Sequence, residues 1–261
     1  KWTEEFQSTT GRFTVTFHPD PTVWDGRFIN NGWLQELPKP LSTLTWDNVA
    51  WFSVSDAAEL DLKNGDLITV GSGKEQCTLP VWVMPGQPAG CITACFGYGR
   101  TVSGRAGTAN GFNIYPLRTS ERMWFRPDLQ VEKTEKRYSL AATQTHHLME
   151  GKHLVRSGTL QKYQQDPEKP EFAHPPSPLP TAPFNDEWSY EGHRWGMTID
   201  LTACVGCSAC VLACQSENNI PIVGKQQVAL NREMHWIRVD TYYEGKAEDP
   251  EQTLSQPVPC M

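Results

Sequence analysis

V-A-W-F-S-V-S-D-A-A-E-L-D-L-K-N-G-D-L-I-T-V, residues 49–70, reads as strand, short helix, strand, and that order decides the fold of the first half of the chain. Val49 to Val54 is apolar and aromatic enough for a strand. Asp56 is the candidate N-cap of a helix from Asp56 to Leu62, with Glu59 three residues later as its capping-box partner. Asn64-Gly65-Asp66 ends that helix, because glycine permits the left-handed cap. Leu67-Ile68-Thr69-Val70 then resumes as strand.

Downstream, a Gly71-Ser72-Gly73 turn leads to a strand from Cys77 to Val83. A second turn, Pro85-Gly86-Gln87-Pro88, leads to another from Gly90 to Phe96. Upstream, Phe13-Thr14-Val15-Thr16-Phe17 alternates like a strand and stops at His18-Pro19-Asp20-Pro21. Several short strands with one brief helix imply a small β-barrel, here assigned to residues 48–118. Residues 1–47 form an irregular lead-in, in which Trp24 to Trp46 reads as a long ordered connection rather than a helix. Glycines crowd the end of the barrel at Gly97, Gly99, Gly104, Gly107 and Gly111. They mark either a flexible surface loop or a backbone cradle for a phosphate or pterin-type ligand, since glycine lets amides approach closely. No G-x4-G-K-[ST] fingerprint accompanies them.

Residues 119–192 read as an extended linker region, polar and mixed over 119–163, where a strand and then a helix are weighed, and carrying seven prolines from Pro167 to Pro183. The second part, 193–261, opens with a strand-like run from Trp195 to Leu201. A helix from about Ala209 to Ser216 follows, and Met234 to Asp240 alternates like a strand.

Between strand and helix lies C-V-G-C-S-A-C-V-L-A-C: Cys204, Cys207, Cys210 and Cys214 in the spacing C-x2-C-x2-C-x3-C. Three thiolates two residues apart can wrap a 4Fe-4S cluster from a tight loop, while the fourth usually ligates a second cluster. Small residues between them (Gly206, Ser208, Ala209) let the loop close and leave amides free for the cluster's sulfides. A structural zinc site would pair two separated C-x2–4-C knuckles instead; four ordinary thiols is the remaining reading. Cys260 looks like the opening of another such motif. Two clusters need eight thiolates and this region supplies five, so the rest of the polypeptide is expected to supply the missing ligands. The start at Lys1 suggests missing residues at the other end too. Gln215 stands where small bacterial ferredoxins carry proline.

The other thiols, Cys77, Cys91 and Cys95, lie in apolar strand-like sequence and read as buried core. His146, His147 and His153 read as surface or core histidines, with a metal or haem role the lesser alternative. His235 sits close enough in sequence to the motif for a proton-coupled role to be weighed. The chain has 261 residues, 38% hydrophobic and 20% charged, the proportions of a globular protein. A formal charge of -7 argues against a nucleic-acid partner, since phosphate binding needs a basic surface. No stretch approaches the roughly 18 apolar residues a membrane helix needs, and no leader is evident, so membrane association must come through a partner.

The motif and its continuation, Cys204 to Asn219, resemble the first motif of the four-cluster iron–sulfur subunits of molybdopterin oxidoreductases. Gln256-Pro-Val-Pro-Cys260 resembles the approach to their second motif. Ser55 to Val70 looks like the dinucleotide-binding domain of the catalytic subunits of that superfamily, a double-psi β-barrel. The fused order, with His146–Gly151 and Arg232–Arg238, resembles the fused iron–sulfur subunit of alternative complex III, a bacterial membrane complex that oxidises quinol.

That resemblance implies a mainly β chain with an α+β part: a double-psi β-barrel, a Pro-rich linker and the start of a ferredoxin-like domain. It implies a molybdopterin-like half that has lost its cofactor and serves as scaffold. It further implies 4Fe-4S clusters as the relay, multihaem cytochrome c and integral membrane quinol-binding subunits as partners, and a place on the outer, periplasmic face of the membrane. A working molybdenum or tungsten enzyme, and a zinc-binding interaction module, are the competing readings.

Overall fold

The computed structural model describes residues 12–152, 154–169, 191–193 and 196–260. The Pro-rich run from Pro170 onward, Trp195 and His153 lie outside them.

Seven strands make one mixed sheet that curls around a single core. They are β1 (Phe13–His18), β3 (Ala50–Phe52), β4 (Asp66–Ser72), β5 (Glu75–Val83), β6 (Cys91–Cys95), β7 (Phe125–Leu129) and β8 (Val131–Arg137), in the order β7-β1-β6-β3-β5-β4-β8. β2 (Leu44–Thr45) pairs with β9 (Ala141–Ala142) beside it. The helices are short: α1 (Gly32–Glu36), α2 (Val54–Glu59), α3 (Gly104–Gly107) and α4 (Leu160–Gln165). This is the mainly β, barrel-type fold the alternation implied.

Alternation explains which side chains face inward. Phe13, Val15 and Phe17 of β1 are buried, as are Ile68 and Val70 of β4 and Leu79 and Val81 of β5. Phe13 meets Phe52 edge-on at 5.7 Å, and Phe17 stacks on Phe96 at 5.6 Å. Each such side chain contributes about 1.5–3 kcal/mol by leaving water. β1 runs parallel to β6 and β3 parallel to β5, so the chain must cross over between them.

Four expectations need correction. Helix α2 starts at Val54, capped by Ser53, whose Oγ accepts the Asp56 amide at 3.0 Å and donates to the Asp56 carboxylate at 2.7 Å. Asp56 is therefore third in the helix rather than its cap, and Glu59 pairs with Arg12 instead of closing a box. The stretch Trp24–Trp46 contains α1, capped by the Asn31 side chain on the Leu34 amide. The sheet neither begins at residue 48 nor stops at 118: β1, in the stretch expected as lead-in, is an interior strand paired with β6, and β7 and β8, which fall in the stretch expected as linker, are its two edge strands. Residues 196–200, expected as strand, have no regular structure, because no strand among the described residues pairs with them.

The second part adds α5 (Ala209–Glu217), α6 (Lys225–Val228) and an antiparallel hairpin of β10 (Ile237–Gly245) and β11 (Pro250–Pro259). The segment 143–149 straps this hairpin to the barrel. Gln144 gives and receives hydrogen bonds with Thr241 at 2.9 Å each, and the Tyr243 amide donates to the His147 carbonyl at 2.8 Å. Tyr243 completes a cluster with Leu44, Val49, Trp82 and Met84. Cysteine segment and barrel are thus packed together.

Candidate iron–sulfur centre

The cysteine loop is built from an aspartate turn outward. The Asp200 carboxylate accepts the Thr202 amide at 2.9 Å and its carbonyl accepts the Cys204 amide at 3.1 Å, which turns the chain into the motif. Gly206 has φ +65°, and a Cβ there would collide with the Ser255 hydroxyl of β11. Only glycine combines that backbone with that approach. Ser208, buried and also left-handed at φ +59°, starts α5. One turn apart on α5, Cys210 and Cys214 share a face.

Cys207, Cys210 and Cys260 are exposed, and Cys204 and Cys214 are half-buried. The Cys210 thiol is pushed up from its ordinary pKa mainly by burial, with the sulfurs of Cys207 and Cys204 adding to the push. Cys214 Sγ receives the Asn218 side-chain amide at 3.7 Å. Cys260 follows β11, its amide donating to the Trp236 carbonyl at 2.6 Å. Among the described residues, no three Cys, His, Asp or Glu side chains are drawn into a finished ligand set. The donor chemistry nonetheless fits an iron–sulfur cluster: soft thiols, a loop turned by Gly206, and small intervening residues.

The barrel holds this loop through buried charge. Glu36 of α1, with no exposed surface, accepts the Gly224 amide at 2.7 Å, the Val223 amide at 2.9 Å and the Trp46 indole at 3.2 Å. Asp47, equally buried, pairs with Lys225 of α6 at 2.6 Å and accepts the Tyr138 hydroxyl at 2.9 Å. Lys225 also lies 3.8 Å above the Tyr138 ring. The Trp33 indole donates to the Ile220 carbonyl at 2.8 Å, and Val211 packs with Leu37 and Val239. Gln215 is buried on the Val211 side of α5, its side-chain amide without a hydrogen-bond partner among the described residues. None of these contacts was evident from sequence, since their partners lie far apart along the chain. Asn218 had a signal: four residues after Cys214, it stands one helical turn away.

The glycine loop does not open as a cradle. A Cβ at Gly97 would stand 2.6 Å from the Trp24 carbonyl; at Gly99 and Gly104 it would overlap Asn113 and the Asn30 side chain; at Gly107 it would reach Ile29 at 3.0 Å. The chain's own atoms fill the space at all four positions.

Among the described residues, the remaining candidates are not drawn into a ligand set with the cysteines. Cys77 is buried, whereas Cys91 and Cys95, expected in the core, are half-buried; desolvation pushes the Cys77 and Cys95 thiols up to about 12. His146 is exposed beside Glu150, while His147 lies half-buried with Nδ1 3.1 Å from the Thr241 carbonyl. His235 is half-buried, its Nε2 lacks a partner among the described residues, and burial lowers its pKa to about 4.

Comparison with known proteins agrees with both halves. The molydopterin dinucleotide binding domain family matches residues 35–118. The chain is 41% identical over 70 residues to the menaquinone reductase iron-sulfur cluster-binding subunit of Nitratidesulfovibrio vulgaris, 26% of either protein. It is 58% identical over 26 residues to the arsenate respiratory reductase iron-sulfur subunit ArrB of Chrysiogenes arsenatis, 10% of this chain and 87% of that sequence. The chain thus spans about a quarter of the length of the menaquinone reductase subunit. It carries a molydopterin dinucleotide binding domain and belongs, by homology over part of its length, with the iron–sulfur subunits of menaquinone and arsenate reductases.

Proposed function

We propose that the chain is an electron-relay subunit of a membrane-associated quinol oxidoreductase of the alternative complex III type. Cys204, Cys207, Cys210, Cys214 and Cys260 would hold 4Fe-4S clusters together with cysteines from the rest of the polypeptide. When bound, such clusters supply one-electron chemistry. The chain's own residues fix where that electron resides: Asp200 and Gly206 shape the loop, and Glu36 with Asp47–Lys225 clamps it to the barrel. The observation that carries the reading is the C-x2-C-x2-C-x3-C spacing of Cys204 to Cys214, on a segment whose continuation at residues 223–225 is held to the barrel by Glu36 and Asp47.

Within that reading, the partners are a multihaem cytochrome c and integral membrane quinol-binding subunits, and the site is the outer, periplasmic face. No helix among the described residues is long and apolar enough to cross a membrane, so attachment falls to the partners. In that reading the barrel serves as scaffold and its pterin is lost, and Gly97, Gly99, Gly104 and Gly107 serve close packing of the chain on itself.

Electron paramagnetic resonance of the reduced complex tests the relay. Replacing Cys207 with serine is expected to remove one cluster signal; survival of every signal would refute the ligand assignment. The match to a molydopterin dinucleotide binding domain favours a second reading, a catalytic molybdopterin oxidoreductase with a fused iron–sulfur part. Stoichiometric molybdenum and a pterin fluorophore in the intact protein would select it over the relay.

A further inference from the structure

We propose that Asn218 is a positioning residue that sets the reduction potential of the cluster ligated by Cys214. It closes α5, and its backbone amide donates to the Cys214 carbonyl at 3.1 Å. Its side-chain amide donates to the same carbonyl at 2.9 Å and to Cys214 Sγ at 3.7 Å. The helix end and the sulfur are thereby tied by one side chain. A donor aimed at a ligating sulfur stabilises negative charge there, and the reduced cluster carries one electron more than the oxidised one. Asn218 therefore favours the reduced state and raises the potential. No proton is exchanged, since an amide donates without ionising.

Asn218 is exposed, so water replaces part of the donation once the side chain is removed. The expected change in the reduction constant is about threefold, or about 28 mV at 59 mV per tenfold for one electron. The other clusters, without this contact, should not move.

The inference rests on the relay reading, and one experiment separates their failures. Redox titration of the intact complex would be followed by electron paramagnetic resonance for the native protein, Asn218→Leu and Asn218→Ser. Serine is too short to reach the sulfur and is accepted at helix ends, so it gives the readout if the leucine variant does not assemble. Expected are full iron and sulfide content, a lower potential for one cluster only, and loss of one exchangeable-proton coupling after transfer to deuterated water. Unchanged potential and coupling at full cluster content would overturn the role of Asn218 and leave the relay standing. Native protein without clusters would overturn both.

Discussion

The carboxylate of Glu36 and the amide of Gly224 meet at 2.7 Å in the interior, although 188 residues separate them along the chain. This contact makes the barrel and the cysteine segment one mechanical piece. Glu36→Ala would leave the amides of Val223 and Gly224 and the Trp46 indole without their acceptor. The expected loss is about 3–5 kcal/mol, read as a lower urea midpoint, with Glu36→Gln losing about half as much. An unchanged midpoint would show that the junction carries no stability.

Asp47 and Lys225 form the second tie. Lys225→Met strands a carboxylate that has no exposed surface, with only the Tyr138 hydroxyl left to it. Stability should fall by about 3 kcal/mol, and adding Asp47→Asn should recover most of it, because the pair is lost together. Simple additivity in that double-mutant cycle would argue that the ion pair is incidental.

Thiol reactivity should divide along the line between core and loop. Cys77 and Cys95, held near 12 by burial, stay protonated at about pH 8, whereas Cys207 and Cys260 are exposed. Iodoacetamide should label Cys207 and Cys260 first in iron-free protein and Cys77 and Cys95 last, as read by peptide mass spectrometry. Assembly with iron and sulfide should protect Cys204, Cys207, Cys210 and Cys214. Equal labelling before and after assembly would contradict their role as ligands.

Acid should weaken the fold through His235. Its folded pKa of about 4 lies below the unfolded value of about 6.5. Between those values the unfolded chain binds more protons, so stability falls as pH drops from about 6.5 to 4 and levels off below. The contribution is on the order of 3 kcal/mol, and His147, lowered in the same direction by burial, adds to it. His235→Phe should flatten this part of the stability profile; an identical slope would show that other groups produce it.

The barrel was legible where one face is buried and the other wet, as in Phe13 to Phe17 and Leu67 to Val70. At β7 and β8 a strand could be weighed but not its place in the sheet, since most side chains are exposed or half-buried and no apolar alternation marks a core face. Ser53 hid as a cap because it follows an apolar run, which moved the apparent helix start to Asp56. Residues 196–201 carry a strand-like pattern but find no partner, and pairing rather than propensity makes a strand. At the candidate centre, the cysteine spacing picked out the proposed ligands through local chemistry alone. Glu36, Asp47 and Lys225 stayed hidden because a buried charge is recognised only once its distant partner is known.

Whether the cysteine loop carries a cluster is decided by iron and acid-labile sulfide, measured per mole of intact protein for the native chain and Cys207→Ser. Equimolar iron and sulfide is expected in the native protein, with the loss of about four of each in the variant, one cubane's worth. Native protein free of both, or a variant with undiminished content, would contradict the assignment.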